Sequence, residues 1–270
     1  MGILNVTPDS FSDGGRYTDV DAAVEHGMAL YAAGADIVDI GGESTRPGAE
    51  RVDAATEVDR VVPVIAGLSS AGVPMSIDTT RAAVAEAALQ AGATVINDVS
   101  GGLADRGMAD VAREAGCPWI LMHWRGHSRD MNQLAVYNDV VAEVRSELRD
   151  RADAAVGAGV DPGQIILDPG LGFAKNAEHN WQLTRHLDVL LDLGFPVLFG
   201  ASRKTYLGRL LADDGGVPRP VEQREAATLA TSVLAVAAGC WGVRVHDVRA
   251  TADALAVWRA SGSPHLASKK

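Results

Sequence analysis

The stretch Ala33-Gly-Ala-Asp-Ile-Val-Asp-Ile-Gly-Gly-Glu43 contains one copy of the unit that decides the fold. A glycine follows an alanine-rich segment of helical length, as the end of a helix requires. A short apolar run comes next, typical of a strand that is covered on both faces, and acidic side chains lie at its end. The same order recurs at Ala91-Gly-Ala-Thr-Val-Ile-Asn-Asp98. Alternation of this kind predicts repeated βα units around a parallel sheet.

Eight apolar runs along the chain fit the strand position of this unit. They are Gly2 to Val6, Asp36 to Ile40, Pro74 to Ile77, Thr94 to Ile96, Trp119 to Met122, Ile165 to Leu167, Val197 to Phe199 and Val243 to Val245. The helical segments between them include Asp21 to Ala33, Ala54 to Ala71, Ala82 to Ala91, Val136 to Ala158 and Arg224 to Ala238. Eight units in 270 residues predict one (β/α)₈ TIM-barrel domain over residues 1–270. A doubly wound open sheet is the alternative, because a strand count does not prove that a barrel closes.

Composition excludes several classes of protein. Hydrophobic content of 47% argues against disorder, and we find no apolar run long enough to span a bilayer and no signal peptide, so a cytoplasmic location is expected. Cys117 and Cys240 lie far apart without metal-ligand spacing; we expect two buried thiols rather than a disulfide framework or a zinc site. The net charge of −11 argues against a nucleic-acid partner.

Polar side chains follow every apolar run, at the ends where a barrel builds its active site. They include Asn5, Asp39, Asp78, Asn97, Asp98, His123, Asp168, Ser202, Arg203, Lys204, Arg244, His246 and Asp247. Any one of them could be a helix cap or a turn residue. Taken together, Asp78, Asn97 and Asp168 are acceptor or amide groups in the barrel mouth, where a ligand rich in N–H donors would satisfy them. Acid–base catalysis and metal binding are open alternatives for the carboxylates.

Positive charge follows the last two strands. Lys204, Arg244 and His246 lie where barrels commonly bind phosphate, and the alternative is that the cations are surface residues or ion pairs. Arg244 and His246 flank one valine and therefore share a face of the strand. Two loops rich in small residues, Thr7 to Gly15 and Gly41 to Gly48, have the length and position of lids.

These motifs together resemble the dihydropteroate synthase family, and in particular its actinobacterial members. The matching segments run in order along nearly the whole chain. They are Asn5-Val-Thr-Pro-Asp-Ser-Phe-Ser-Asp-Gly-Gly15, Gly41-Gly-Glu-Ser-Thr-Arg-Pro-Gly48, Ser76-Ile-Asp-Thr79, Ile96-Asn-Asp-Val-Ser-Gly101, Leu167-Asp-Pro-Gly-Leu-Gly-Phe173, Gly200-Ala-Ser-Arg-Lys204 and Arg244-Val-His-Asp247. Small departures from the family pattern are Trp124 after His123 and Ala174 after Phe173.

The resemblance implies a (β/α)₈ barrel that condenses 6-hydroxymethyl-7,8-dihydropterin diphosphate with 4-aminobenzoate, in the presence of Mg²⁺, to give 7,8-dihydropteroate and pyrophosphate. It implies catalytic roles for Lys204, Arg244, His246 and Asp168. The pterin would be bound by Asp78, Asn97, Asp168 and Lys204, and the diphosphate by Asn5, Thr45, Arg244 and His246, with Asn5 as metal ligand. Thr45, Arg46, Pro47, Phe173 and Ser202 would surround the aminobenzoate. Competition by sulfonamides and a homodimer are further implications.

Three other functions are alternatives to a synthase. Methyltransferases that move a methyl group from methyltetrahydrofolate to a corrinoid share the barrel and the acidic pterin site, but have no diphosphate for Lys204, Arg244 and His246 to neutralise. A pterin-binding paralogue without catalysis is disfavoured because no motif residue is lost. A metal-dependent barrel hydrolase would need His-x-His on the first strand, where this chain has Asn5-Val6-Thr7.

Overall fold

The structure is a computed structural model that describes residues 1–7, 16–43, 52–126 and 134–262. In these residues it contains eight short parallel strands that match the eight predicted runs. They are β1 (Gly2–Asn5), β2 (Val38–Gly41), β3 (Met75–Asp78), β4 (Val95–Asp98), β5 (Trp119–Met122), β6 (Ile165–Asp168), β7 (Leu198–Phe199) and β8 (Gly242–Val243).

The strands close into a barrel in chain order. Strands β1 to β6 form one six-stranded parallel sheet, and β7 pairs with β8. Isolated parallel bridges join these two sets, Leu167 with Val197 on one side and Gly2 with Val245 on the other. On the second side the Ile3 amide donates to the Val245 carbonyl at 3.0 Å. The predicted (β/α)₈ barrel is therefore confirmed, and the open sheet was the wrong alternative.

Helices connect the strands on the outside of the barrel. They are α1 (Arg16–Ala32), α2 (Ala54–Ser70), α3 (Ala82–Ala91), α4 (Met108–Ala115), α5 (Val140–Gly157), α6 (Ala177–Arg185), α7 (Leu187–Leu191), α8 (Thr205–Leu210), α9 (Glu225–Ala238) and α10 (Val248–Ala260). No helix in the described ranges is both long and apolar enough to cross a membrane.

Two predicted helix starts differ from the observed ones by more than one residue. Helix α1 begins at Arg16, five residues before the predicted Asp21. Helix α5 begins at Val140 rather than Val136, because the Asp139 side chain accepts hydrogen bonds from the amides of Val141 and Ala142, both at 3.0 Å, and so caps the helix.

The inside of the barrel has an apolar floor with a polar layer above it. Val95, Ile120, Ile166 and Leu198 form a buried cluster separate from the main core, and Met1 and Ile37 pack against it. Side chains two residues apart on a strand share a face. Ile37, Val95 and Ile166 are therefore followed, one layer up, by Asp39, Asn97 and Asp168, which are all buried. Strand alternation places these three polar groups inside the mouth of the barrel.

Candidate active site

Asp39 lies at the centre of the polar layer and is fully buried. Its carboxylate accepts hydrogen bonds from Ser76 Oγ at 2.5 Å, from Asn97 Nδ2 at 3.0 Å and from Arg244 Nε at 2.6 Å. Such a buried carboxylate is stable only when its lone pairs are satisfied by donors and its charge is paired. Asp39 thus fixes the positions of an amide and a guanidinium at the barrel mouth.

Arg244 joins two carboxylates across the barrel interior. Besides Asp39, its Nη2 donates to Asp78 Oδ2 at 2.8 Å. Burial alone would lower the pKa of Arg244, but the charges of Asp39 and Asp78 raise it, so the guanidinium is permanently charged. Burial raises the pKa of Asp78 to about 7, a rise that Arg244 opposes.

Each of the three predicted acceptor residues has a protein partner. Asp78 pairs with Arg244, Asn97 donates to Asp39, and Asp168 Oδ1 accepts from the Gly170 amide at 2.7 Å. Each of them thus has a first hydrogen-bond partner without a ligand, and their role in binding a donor-rich ligand stays a prediction. Burial raises the pKa of Asp168 against the opposing effect of that amide and of Lys204. The site is preorganised by its own hydrogen bonds.

Lys204 lies beside the loop that follows β6. Its ammonium lies 4.2 Å from the centroid of the Phe173 ring, a cation–π distance. Gly172 has φ +78°, and a Cβ built there would lie 2.9 Å from Lys204 Cδ. The glycine therefore leaves the space in which the lysine stem lies. Burial and the charge of Arg244 together lower the pKa of Lys204 to about 8.

Ser202 and His246 form a second pair at the mouth. Ser202 Oγ lies 2.9 Å from His246 Nδ1 and accepts from the His246 backbone amide at 3.1 Å. Between Ser202 and Lys204, Arg203 has φ +57°, an uncommon conformation for a side chain of its size. Its amide donates to Thr228 Oγ1 at 3.1 Å, and its carbonyl accepts from Arg224 at 2.9 Å. These bonds support a turn that presents Ser202 and Lys204.

The other predicted polar residues fall into three groups: one exposed residue at a strand end, residues outside the described ranges, and turn or cap residues. Asn5 ends β1 with an exposed side chain. Thr45, Arg46 and Pro47, with most of the two predicted lid loops, lie outside the described residues. Asp98 binds the amides of Ser100 and Gly102 and Asp247 caps α10, so for these two the turn and cap alternatives hold.

Three polar residues beside the mouth have no role in the sequence-based prediction. Asp39 and His123 stand among its strand-end polar residues without a function, and Lys175 is absent from it. His123 and Lys175 contact each other at 2.9 Å behind the β6 loop. The rarity of lysine is a signal for Lys175: the chain has only four lysines, and apart from Lys269 and Lys270 they are Lys175 and Lys204. Both follow strands.

Comparison with known proteins gives consistent matches over the chain. The family model for pterin binding enzymes matches residues 1–246. A dihydropteroate synthase of Mycobacterium leprae is 58% identical over 258 residues, covering 95% of this chain and 91% of its own length. The Xanthomonas albilineans dihydropteroate synthase structure with 4-aminobenzoic acid has a TM-score of 0.89 at 48% identity, covering 97% of this chain and 92% of that one. The structure of that enzyme with 7,8-dihydropteroate has a TM-score of 0.85 at 45% identity, with the same coverage.

Proposed function

The chain belongs to the dihydropteroate synthases of the pterin-binding enzyme family, and from that premise we propose how the residues at its barrel mouth divide the reaction. The enzyme joins the amine nitrogen of 4-aminobenzoate to the methylene carbon of 6-hydroxymethyl-7,8-dihydropterin diphosphate. The carbon–oxygen bond to the diphosphate breaks, and pyrophosphate leaves. The methyltransferase and non-catalytic alternatives have no support in the comparisons.

The pterin is assigned to the polar layer above the apolar floor. Asp168, Asn97 and Asp78 present carboxylate and amide groups to the donor-rich edge of the ring, and a carboxylate can accept two parallel N–H bonds from such an edge. Lys204, whose ammonium lies near Asp168 and Phe173, contacts the ring from the other side. Because Asp168 and Asn97 are already oriented by protein hydrogen bonds, they need little rearrangement when the ring binds.

The diphosphate is assigned to Arg244, His246, Asn5 and Thr45. Arg244 is permanently charged, and in the structure its charge is shared between Asp39 and Asp78. Asp39 is fully buried behind it and is the partner that stays, whereas the Asp78 contact is the one that exchanges when substrate enters. This arrangement aims a planar donor group at the point where negative charge increases on the leaving oxygen.

A Mg²⁺ ion fits this site if the substrate supplies most of its ligands. Within the described ranges, no group of three or more His, Cys, Asp or Glu side chains could hold a metal ion. Mg²⁺ commonly binds proteins through one or two oxygen ligands and completes its shell with phosphate oxygens and water. Asn5 provides such an oxygen at the end of β1. When bound, the ion would neutralise charge on the departing diphosphate.

The aminobenzoate is assigned to Phe173 and Ser202, together with Thr45, Arg46 and Pro47. Phe173 offers a ring face next to Lys204, and Ser202 offers a hydroxyl that is already hydrogen-bonded to His246. The two lid loops would exclude water from the electrophilic carbon and orient the amine nitrogen.

No covalent enzyme nucleophile is needed in this scheme. The acidic groups around the pterin tolerate a cationic methylene, while the cations stabilise the leaving diphosphate, so we assign an ionisation-first order. Positional isotope exchange within the diphosphate in the absence of aminobenzoate tests that order. Scrambling supports it, and its absence together with concerted kinetics contradicts it.

The observation that carries the assignment is the meeting of acceptors from β3, β4 and β6 with cations from β7 and β8 at one end of the barrel. The test is release of pyrophosphate from the pterin diphosphate, measured with and without aminobenzoate and Mg²⁺. Asp168→Asn should abolish pterin binding, whereas Asp214→Asn, at an exposed position, is the matched control. Release that does not depend on aminobenzoate would refute the function.

A homodimer is part of the proposal, as is inhibition by sulfonamides that compete with aminobenzoate. Helices α9 and α10 expose the apolar side chains of Leu234 and Val257, and Trp241 between them is also exposed, which supports a contact through the late helices. Sedimentation of the protein at several concentrations tests the dimer. A monomer at all of them overturns it.

A further inference from the structure

One ammonium group holds the loop that follows β6. Lys175 Nζ lies 2.9 Å from His123 Nδ1, 3.2 Å from the Gly170 carbonyl oxygen and 3.1 Å from the Phe173 carbonyl oxygen. An ammonium has three protons to donate and no lone pair. All three protons of Lys175 are therefore directed at protein acceptors.

These contacts determine the tautomer of His123. Burial lowers the pKa of Lys175 to about 7. Below that pH the ammonium only donates, so Nδ1 of the imidazole is then the acceptor and Nε2 carries the proton. Nε2 lies 2.9 Å from Glu147 Oε2, which accepts that proton in a hydrogen bond. Burial lowers the pKa of His123 to about 4, and the nearby Lys175 charge lowers it too. The imidazole is thus neutral at physiological pH and connects an ammonium to a carboxylate.

The same contacts continue into the loop after β5. Glu147 on α5 also accepts from Arg125 Nε at 3.2 Å. Arg125 donates to the Val136 carbonyl at 2.7 Å and lies 3.8 Å from the centroid of the Tyr137 ring. Burial opposes ionisation of Glu147, but its bonds from His123 and Arg125 lower its pKa to about 2. The β6 loop is therefore connected to helix α5 and to the loop after β5.

The segment that Lys175 holds runs between residues assigned to different substrates. Asp168, two residues before Gly170, is assigned to the pterin, and Phe173 to the aminobenzoate. Both carbonyls that Lys175 binds belong to this short segment. A shift of about 1 Å in a substrate-positioning group can cost roughly 100-fold in rate.

We propose that Lys175, through His123, is a positioning residue that sets the distance between the pterin and aminobenzoate subsites by fixing the segment from Gly170 to Phe173. This inference rests on the proposed function. Lys175 is not itself a catalytic residue, because its three protons are directed at protein acceptors. The groups that face it are His123, Asp168, Arg125, Glu147 and Lys204.

A matched pair of substitutions at His123 isolates the contact. Asparagine places an amide oxygen near the position of Nδ1 and so keeps an acceptor for Lys175, while it gives up Glu147. Glutamine places its amide nitrogen near Nε2 and so keeps the donor to Glu147, while it gives up Lys175. Lys175→Met removes the ammonium and keeps a stem of similar length.

Steady-state kinetics of the three variants give the first readout. We expect kcat/KM for 4-aminobenzoate to fall about 10- to 100-fold in Lys175→Met and His123→Gln, and to stay within about threefold of wild type in His123→Asn. Equal loss in both His123 variants, or wild-type kinetics in Lys175→Met, would overturn the proposal. If Lys175→Met does not fold, the two His123 variants decide, since both exchange one neutral side chain for another.

Lysine NMR gives a readout that does not depend on catalysis. With only four lysines in the chain, protein labelled at lysine gives four side-chain signals, and free lysine in the same buffer serves as the reference. The Lys175 signal should differ from the reference and should move in His123→Gln while Lys204 stays. A Lys175 signal that coincides with the reference overturns the proposal. Failure of the proposed function gives a different result: the wild-type enzyme then forms no dihydropteroate. Failure of the positioning role instead leaves an active wild type and shows only in the comparison of kcat/KM among the variants.

Discussion

Gly172→Ala tests whether the space next to Lys204 is required for function. The added Cβ would lie 2.9 Å from Lys204 Cδ and 3.6 Å from its Cε and Nζ. Carbon atoms in contact prefer about 3.5 to 4.0 Å, so the stem must move by roughly 0.5 Å or more. Because the obstructing atoms belong to a flexible side chain, this movement costs little stability. It displaces, however, the ammonium assigned to the pterin.

The cost of the backbone conformation can be measured separately. Gly172 has φ +78°, and Gly216, an exposed residue between α8 and α9, has φ +77° with nothing within 4 Å of an added Cβ. Alanine in this conformation costs about 1 to 2 kcal/mol, of which the reduced freedom of the unfolded chain recovers part. Gly172→Ala and Gly216→Ala should therefore lose similar stability, about 1 kcal/mol, in urea unfolding.

Catalysis should separate the two variants. We expect kcat/KM for the pterin diphosphate to fall about tenfold in Gly172→Ala and to remain at the wild-type value in Gly216→Ala, measured by pyrophosphate release. If Gly172→Ala turns over substrate as fast as Gly216→Ala, then the position of Lys204 beside this glycine is irrelevant to the reaction, and the assignment of Lys204 to the pterin fails.

Three further predictions concern charge. Asp39→Asn removes the buried charge that pairs with Arg244 and should lower the free energy of unfolding in urea by about 3 kcal/mol. The control Asp36→Asn, at an exposed position, should stay within about 0.5 kcal/mol of wild type. Equal effects of the two substitutions would contradict the central role of Asp39. His123 has a pKa of about 4 against 6.5 in the unfolded chain, so the unfolded state takes up a proton first as the pH falls. At about 1.4 kcal/mol per pKa unit, wild type should lose up to roughly 3 kcal/mol more stability than His123→Asn between pH 7 and pH 4 in unfolding titrations, and parallel curves would refute this. Asn5→Ala should raise the Mg²⁺ concentration needed for half-maximal pyrophosphate release about tenfold, and an unchanged requirement would exclude Asn5 as a ligand.

The fold was predictable because its signals are local. Each strand is a short run buried on both faces, and glycines such as Gly34, Gly92 and Gly159, all with positive φ, mark the helix ends. Closure of the ring was not predictable in the same way. It depends on the bridge between Gly2 and Val245, residues at opposite ends of the chain that no local pattern connects.

The candidate site was predictable where a residue's position alone was informative. Asp78, Asn97 and Asp168 lie at strand ends, where the barrel geometry assigns a location. Asp39 differs because its importance comes from three donors, two on the strands β3 and β4 and one directly after β8. Lys175 differs because its acceptors are backbone carbonyls of a loop that folds back on it. In both cases the partners are fixed only by the tertiary structure.

The ring of strands consists of two arcs, and they differ in charge. The arc of six strands supplies Asp39, Asp78 and Asp168, and the arc of two supplies Arg244. The two arcs are joined at their edges by isolated β-bridges. The hydrogen bonds from Arg244 to Asp39 and Asp78 add a second link between the arcs, through the barrel interior. A diphosphate that binds this guanidinium competes with its contact to Asp78 and leaves the contact to Asp39. Binding of the leaving group and the stability of the barrel therefore depend on the same side chain. The hydrogen-exchange rates of the backbone amides in β7 and β8 should therefore differ between the diphosphate-bound and the diphosphate-free protein.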